Sequence, residues 1–160
     1  MPRYRFRPAT ADDLPVLNAW KRRPHVAEWW DGPPYGVADL RDPRVAMRVV
    51  EADGTPFAFA QDYDVHGWAG HHFGHLPPGS RGMDQFVADP AMIGRGHGAA
   101  FVAQRMAAPF ARGAPALAVD PHLGNARAIA AYRRAGFAVA GAPRDTEWGL
   151  ILPMVALRTL

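Results

Sequence analysis

The stretch Gly82–Ala100, GMDQFVADPAMIGRGHGAA, decides how this chain is read: a strand, then a glycine-rich turn, then the opening of a helix. Met83, Phe86 and Val87 supply apolar, strand-favouring content, Asp89-Pro90 ends the run, and Gly94, Gly96 and Gly98 punctuate the turn after it. A helix is expected to begin near Gly98. With glycines at alternate positions, the main-chain amides of Arg95, Gly96 and Gly98 can turn inward as a nest at the positive end of the following helix dipole. Such a nest suits a pyrophosphate. The same spacing also describes a mobile loop, and glycines alone do not separate the two.

Composition narrows the setting. At 160 residues and 49% hydrophobic content, the chain reads as a single domain over residues 1–160 with a full core. Cysteine is absent, which excludes disulfides, zinc–thiolate sites and a cysteine nucleophile. The opening MPRYRFRPAT is basic but lacks a signal-length apolar segment, and no later run is long enough to cross a bilayer. A soluble cytoplasmic protein with no membrane partner is therefore expected. A net charge of +3 raises nucleic acid as a partner. The arginines are scattered, however, and Lys21 is the only lysine, so no nucleic-acid partner is expected.

Working toward the N-terminus, His66–Arg81 is a long loop carrying His71, His72 and His75 with Trp68 and Phe73. No carboxylate joins those histidines at helical spacing, so no metal is expected. Before the loop, Val45–Glu51 and Pro56–Val65 read as strands joined at Asp53-Gly54. Tyr4 and Phe6 alternate with arginines as in a half-buried edge strand. Thr10 then caps an amphipathic helix reaching about Arg22. Pro24 opens a short helix, PHVAEWW, stopped by Asp31-Gly32-Pro33-Pro34. Trp29 and Trp30 are adjacent, so on a helix they cannot both face one core: either one of them lines a cleft or both are partly buried packing residues.

Toward the C-terminus, Ala99–Arg112 carries Phe101, Val102, Met106 and Phe110 on one stripe. Ala116–Val119 is a short buried strand running into Asp120-Pro121. Asn125 caps the helix NARAIAAYRRAGF, which Gly136 ends. Phe137–Ala140 and Trp148–Val155 close the chain as two strands. The order is β, α, α, β, β, β, glycine loop, α, β, α, β, β. It predicts an α/β (α+β) fold with a mixed, partly parallel sheet and helices on both faces.

Taken together, MDQFVADPAMIGRGHGAA and DPHLGNARAIAAYRRAGF resemble the GNAT superfamily of N-acyltransferases. The words PHVAEWW, AQDYD, GMDQFVADP, IGRGHG and VDPHLGNARAIAAYRRAGF look like the bacterial aminoglycoside 6′-N-acetyltransferases and their siderophore-acylating relatives. The likeness runs from about Arg3 to Val155. Ile93 departs from the Gln or Arg usual at that place of the superfamily loop. The pyrophosphate contacts there are main-chain amides, so the change touches little.

The resemblance implies a GNAT-type, mostly antiparallel sheet with splayed middle strands and acetyl-CoA as co-substrate. It implies cofactor binding by Phe86, Val87, Ile93, Gly94, Arg95, Gly96, His97, Gly98, Ala99 and Asn125. An amine attacks a thioester only as the free base, so the site needs a proton acceptor and donors for the oxyanion. Asp84 is placed as that acceptor, directly or through water, and its residue type also suits a turn cap. A main-chain amide around Phe86 or Val87 is placed at the oxyanion. The resemblance makes Tyr132 the acid that protonates the departing thiolate, although on helix pattern alone Tyr132 is a core residue.

Aminoglycosides are polycations, so a locally acidic site is expected even in a basic chain. Substrate binding is assigned to Trp29, Trp30, Asp62, Trp68, Asp84, Gln85 and Asp120. A bare turn-capping Asp would look the same at Asp120. The partner expected is a small polycationic amine, with antibiotic resistance as the associated role and a homodimer as a possible assembly. Two alternatives stand beside this one: acylation of a hydroxylysine-type siderophore precursor, in which His25 would pair with an Asp, and a CoA-binding module without turnover.

Overall fold

A computed structural model describes residues 2–159 and divides them into two compact units. The first holds the chain up to Asp62 together with Gln85–His97, and the second holds Tyr63–Asp84 and everything from Gly98 onward. The larger sheet runs in the order β1 (Tyr4–Pro8), β2 (Val45–Ala52), β3 (Thr55–Asp64), β4 (Arg81–Val87), β5 (Ala116–Val119), β9 (Met154–Leu157) and β6 (Ala138–Val139), and β3 and β4 give residues to both units.

In the first unit, β1 (Tyr4–Pro8) pairs antiparallel with β2 (Val45–Ala52), with Tyr4 opposite Ala52 and Pro8 opposite Arg48. Asp53 and Gly54 both have positive φ, 48° and 85°, so a two-residue primed turn leads β2 into β3. A 3-10 turn at Ala11–Asp13 precedes α1 (Leu14–Lys21), and α2 is Pro24–Ala27. Leu17, Trp20, Met47, Val49, Phe59 and Ala88 form the core, and Trp30, Tyr35 and Phe86 pack on it. The Arg7 guanidinium bridges Asp13, at 2.7 and 2.8 Å, and Glu51, at 3.0 Å, joining the first turn to the sheet.

The second unit begins with the end of β3, the loop after it and the start of β4. The helix α4 (His97–Ala111), whose first residue belongs to the first unit, leads to β5 (Ala116–Val119). The helix α5 (Ala126–Ala135), β6 (Ala138–Val139), β7 (Arg144–Thr146), β8 (Gly149–Ile151) and β9 (Met154–Leu157) complete it. β5 lies parallel to β4 through Arg81↔Leu117 and Gly82↔Ala118, and the rest of β4 runs on past this short pairing. β9 is antiparallel to both β5 and β6, so the sheet is mixed and mostly antiparallel, as expected.

Three elements differ from the sequence reading. The closing strand at Trp148–Val155 is two strands, because Pro153 has no N–H for a ladder. The N–H of Leu152 bonds Pro121 C=O at 2.9 Å, and β8 pairs with β7 in a separate hairpin. A short helix, α3 (Val37–Arg41), is absent from the sequence reading, because its five residues bury no apolar stripe. The Asp39 carboxylate holds its start by accepting from Gly36 N–H at 2.8 Å. The helix over PHVAEWW stops at Ala27, although Val26 C=O still accepts from Trp29 and Trp30.

Candidate active site

The glycine loop is built by its own short-range bonds. The Asp89 carboxylate accepts from Ala91 N–H at 2.9 Å, and the 3-10 turn closes through Met92 N–H to Asp89 C=O at 3.0 Å and Ile93 N–H to Pro90 C=O at 3.3 Å. Gly94 and Gly96 then take positive φ, 74° and 84°, while Arg95 and His97 do not. Alternation of this kind turns successive N–H groups toward one concavity. A Cβ at Gly94 or Gly96 would meet no atom within 4 Å, so the main chain lies open there. Among the described residues, no main-chain group outside the turn accepts from the N–H groups of Gly94, Arg95, Gly96 or His97. The 15-residue α4 starts at the end of this turn, with Gly98 and Ala99 in its first turn.

Within the same unit, His97 is tied to the edge strand: Tyr4 Oη lies 2.6 Å from His97 Nδ1. Burial first, and then Asp53, raises the Tyr4 pKa, so the phenol keeps its proton and donates. An open cleft of about 580 Å³ runs beside the loop, lined by Asp53, Thr55, Phe57, Asp89, Met92, Arg95 and His97. The C=O of Val87 accepts from His25 Nε2 at 3.0 Å. Phe86 and Trp30 pack with ring centroids 5.0 Å apart, and Trp30 donates to Tyr35 Oη at 3.2 Å. Trp30 is thus a packing residue, whereas Trp29 keeps 41% of its surface. Asp62 is buried and Gln85 half-buried.

The second unit gathers Asp84, Asp120 and Tyr132 around one phenol. Tyr63, at the end of β3, is buried, and its pKa is driven well above the usual phenol value by burial first and then by Asp84, Asp120 and Tyr132. It stays neutral and able to donate. Its ring lies against Gly82 so closely that a Cβ there would enter the ring. Asp120 is also bonded to the loop: His72 Nε2 lies 2.9 Å from Asp120 Oδ2, with the imidazole itself buried.

Tyr132 owes its position to the capping of α5. Asn125 Oδ1 accepts from Ala128 N–H at 3.2 Å at one end. At the other, Gly136, with φ +117°, and Phe137 return their N–H groups to Tyr132 C=O at 3.1 and 3.0 Å.

The loop histidines do not act as a set. His71 stacks on His72 at 4.3 Å, His75 is exposed, and among the described residues no group of three or more His, Cys, Asp or Glu is arranged to hold a metal ion. The loop aromatics instead reach the hairpin: His71 lies 6.4 Å from Trp68 and 6.1 Å from Trp148. Among the described residues, no helix is long and apolar enough to cross a membrane.

Sequence reasoning missed Tyr63, His72 and Trp148. Tyr63 sits in an ordinary strand alternation, and only the side-chain-free Gly82, on the next strand, marks the ring it admits. His72 and Asp120 are 48 residues apart and carry no shared pattern.

Comparison with known proteins identifies the family. Residues 9–143 match the acetyltransferase (GNAT) domain. Aminoglycoside N(6′)-acetyltransferases type 1 from Klebsiella pneumoniae and Serratia marcescens are each 30% identical over 141 residues, covering 80% of this chain and 70% of theirs. The solved structure of AAC(6′)-Ib with coenzyme A and kanamycin matches with a TM-score of 0.86 at 30% identity, over 98% of this chain and 95% of that one. Its complex with paromomycin and acetyl-CoA matches with the same TM-score and identity over 97% and 93%. With a domain match over most of its length and relatives at this identity, the chain belongs to the GNAT acetyltransferases.

Proposed function

We propose that this chain transfers the acetyl group of acetyl-CoA to a primary amine of an aminoglycoside, the 6′-amine, by direct attack without a covalent enzyme intermediate. The observation that carries the reading is the open, alternating turn at Gly94–His97, whose N–H groups meet no main-chain acceptor outside the turn among the described residues, in a chain related to aminoglycoside 6′-acetyltransferases. These amides, with those of Gly98 and Ala99, grip the diphosphate of acetyl-CoA. Ile93 leads the chain into that turn, and Asn125 lies along the pantetheine arm.

The amine nitrogen attacks the thioester carbon, and the carbonyl oxygen becomes an oxyanion that accepts a hydrogen bond from the N–H of Phe86 or Val87. The proton released by the attacking nitrogen goes to Asp84. The C–S bond then breaks, and Tyr132 gives its proton to the leaving thiolate, so the products are the acetamide and the free thiol. Tyr63, neutral by burial, supplies a phenol in the same group. Asp120, Gln85 and Trp68 orient the cationic sugar, joined by Trp29. Asp62 contributes from a buried position, and Trp30, partly buried, supports the site through its packing on Phe86. The siderophore reading has less support, because His25 Nε2 is engaged with Val87 C=O.

A thiol-release assay with acetyl-CoA tests the proposal. Kanamycin-type aminoglycosides are expected to turn over, with the acetyl group on the 6′-nitrogen by NMR. Turnover with hydroxylysine-type amines but none with aminoglycosides would overturn the substrate assignment, and coenzyme A binding without turnover on any amine would overturn the enzyme.

A further inference from the structure

Trp148 stands out among the described residues as a large aromatic that is 53% exposed while its main chain is hydrogen-bonded in a tight turn. It occupies the tip of the β7–β8 hairpin, where its N–H donates to Thr146 Oγ1 at 3.1 Å and the same hydroxyl donates to Gly149 C=O at 3.0 Å. The hairpin is fastened to the segment directly after Asp120. Leu123 N–H bonds Leu150 C=O at 2.9 Å, His122 bridges Ile151, and a Cβ at Gly149, with φ +105°, would lie 3.2 Å from the His122 ring. The ring centroid of Trp148 is 5.9 Å from that of His72, the imidazole bonded to Asp120, and 6.1 Å from that of His71. Beyond His71 lies the half-exposed Trp68, itself 5.9 Å from Tyr63.

We infer that Trp148, His71 and Trp68 form a ring-binding wall beside Asp120, on which an aminoglycoside sugar ring stacks while one of its ammonium groups meets the Asp120 carboxylate. The inference rests on the function proposed above and deepens it by naming the surface that selects cyclic over linear polyamines. Pyranose rings present flat C–H faces that pack on indole, and their ammonium groups gain further from the negative face of the aromatic ring. A flexible linear polyamine offers charge without a face, so the wall gives it less. Charge complements this occupant: Asp120, bonded to His72, stands beside the wall, and Asp145 and Glu147 flank Trp148 on the hairpin. Burial, His72 and Arg144 lower the His71 pKa, outweighing Asp120, so the middle ring is uncharged at neutral pH and does not repel a cation. Arg144, at the start of the hairpin, bears on His71 as a cation and selects against a ligand ammonium at that end.

The test is steady-state kinetics of the full chain and of Trp148→Ala and Trp148→Phe, with kanamycin and with spermidine as acceptors. Trp148→Ala is expected to raise KM for kanamycin about tenfold, in line with the loss of one aromatic–cation contact. It should leave KM for acetyl-CoA and kcat within about twofold, while Trp148→Phe stays within about threefold of the parent. An unchanged KM for kanamycin overturns the inference. So does an equal loss for spermidine and kanamycin, or a matching rise in KM for acetyl-CoA, since a merely structural role predicts those. The parent's own activity on kanamycin decides the function separately: without it, both fall; with it, only the variants bear on the wall.

Discussion

Tyr4 and His97, 93 positions apart, share a hydrogen bond of 2.6 Å that ties the edge strand to the last residue of the glycine turn. Their rings also meet nearly at right angles, with centroids 6.1 Å apart, and Phe57 flanks His97 at 5.9 Å. A buried phenol that loses its acceptor carries an unsatisfied group, whereas removing the phenol oxygen frees the turn without leaving a charge.

Tyr4→Phe is accordingly expected to raise KM for acetyl-CoA several-fold while kcat and KM for the amine hold steady. His97→Asn, which keeps an acceptor near Nδ1, should stay closer to the parent than His97→Leu. Initial-rate measurements at varied acetyl-CoA check this, and equal values for all three variants would remove the tether.

Asp84→Asn tests the proton acceptor. Coenzyme A binding measured by calorimetry should be unchanged, while kcat falls about 10²- to 10⁴-fold, the range for loss of general-base help. Turnover at the parental rate would take the role away from Asp84.

Gly82→Ala tests the seat of Tyr63. A Cβ at that position enters the phenol ring, so the strand or the ring must shift. A loss of about 1–3 kcal/mol is expected by urea unfolding, as for other overpacked sites. The double variant with Tyr63→Ala should show less than the summed cost, since the clash then has no partner.

Asp13 tests the ion pair at the start of α1. Hydrogen bonding to Arg7 is the largest cause lowering its pKa in the folded chain, ahead of burial, which opposes it. A carboxyl with a depressed folded pKa stabilises the fold above its unfolded value, near 4, and that contribution is lost as pH falls through the folded value. Asp13→Asn should cost about 1–3 kcal/mol at pH 7. The gap in Tm between parent and variant should close as the pH is taken from 5 toward 2, and a constant gap would contradict the assignment.

Much of the fold is readable in the sequence because it rests on local chemistry. Asp53-Gly54 can make a primed turn wherever it occurs, Asn125 caps whichever helix comes next, and Gly136 ends that helix through its left-handed φ of 117°. Ala116–Val119 is apolar throughout and buried throughout, and its limits in the fold match its limits in the sequence. The differences fall where local pattern is weak. α3 has too few residues to show a period, and the break at Leu152-Pro153 is hidden because apolar content continues on both sides. At the candidate site, glycine spacing makes the turn visible from sequence. That the main chain lies open at Gly94 and Gly96 is not visible there, because a covering side chain can come from anywhere in the chain.

Most of the element order, the turn at Gly94–His97 and the family are legible in the residues alone, since each depends on residues close together or on motifs with set spacing. Only the tertiary structure decided which distant side chains share surroundings: Tyr63 with Asp84, Asp120 and Tyr132; His72 with Asp120; Trp148 with His71. The reason is physical. Backbone preferences act over a few residues, whereas desolvation, charge and ring contacts depend on distance in space, and chain order does not encode that distance.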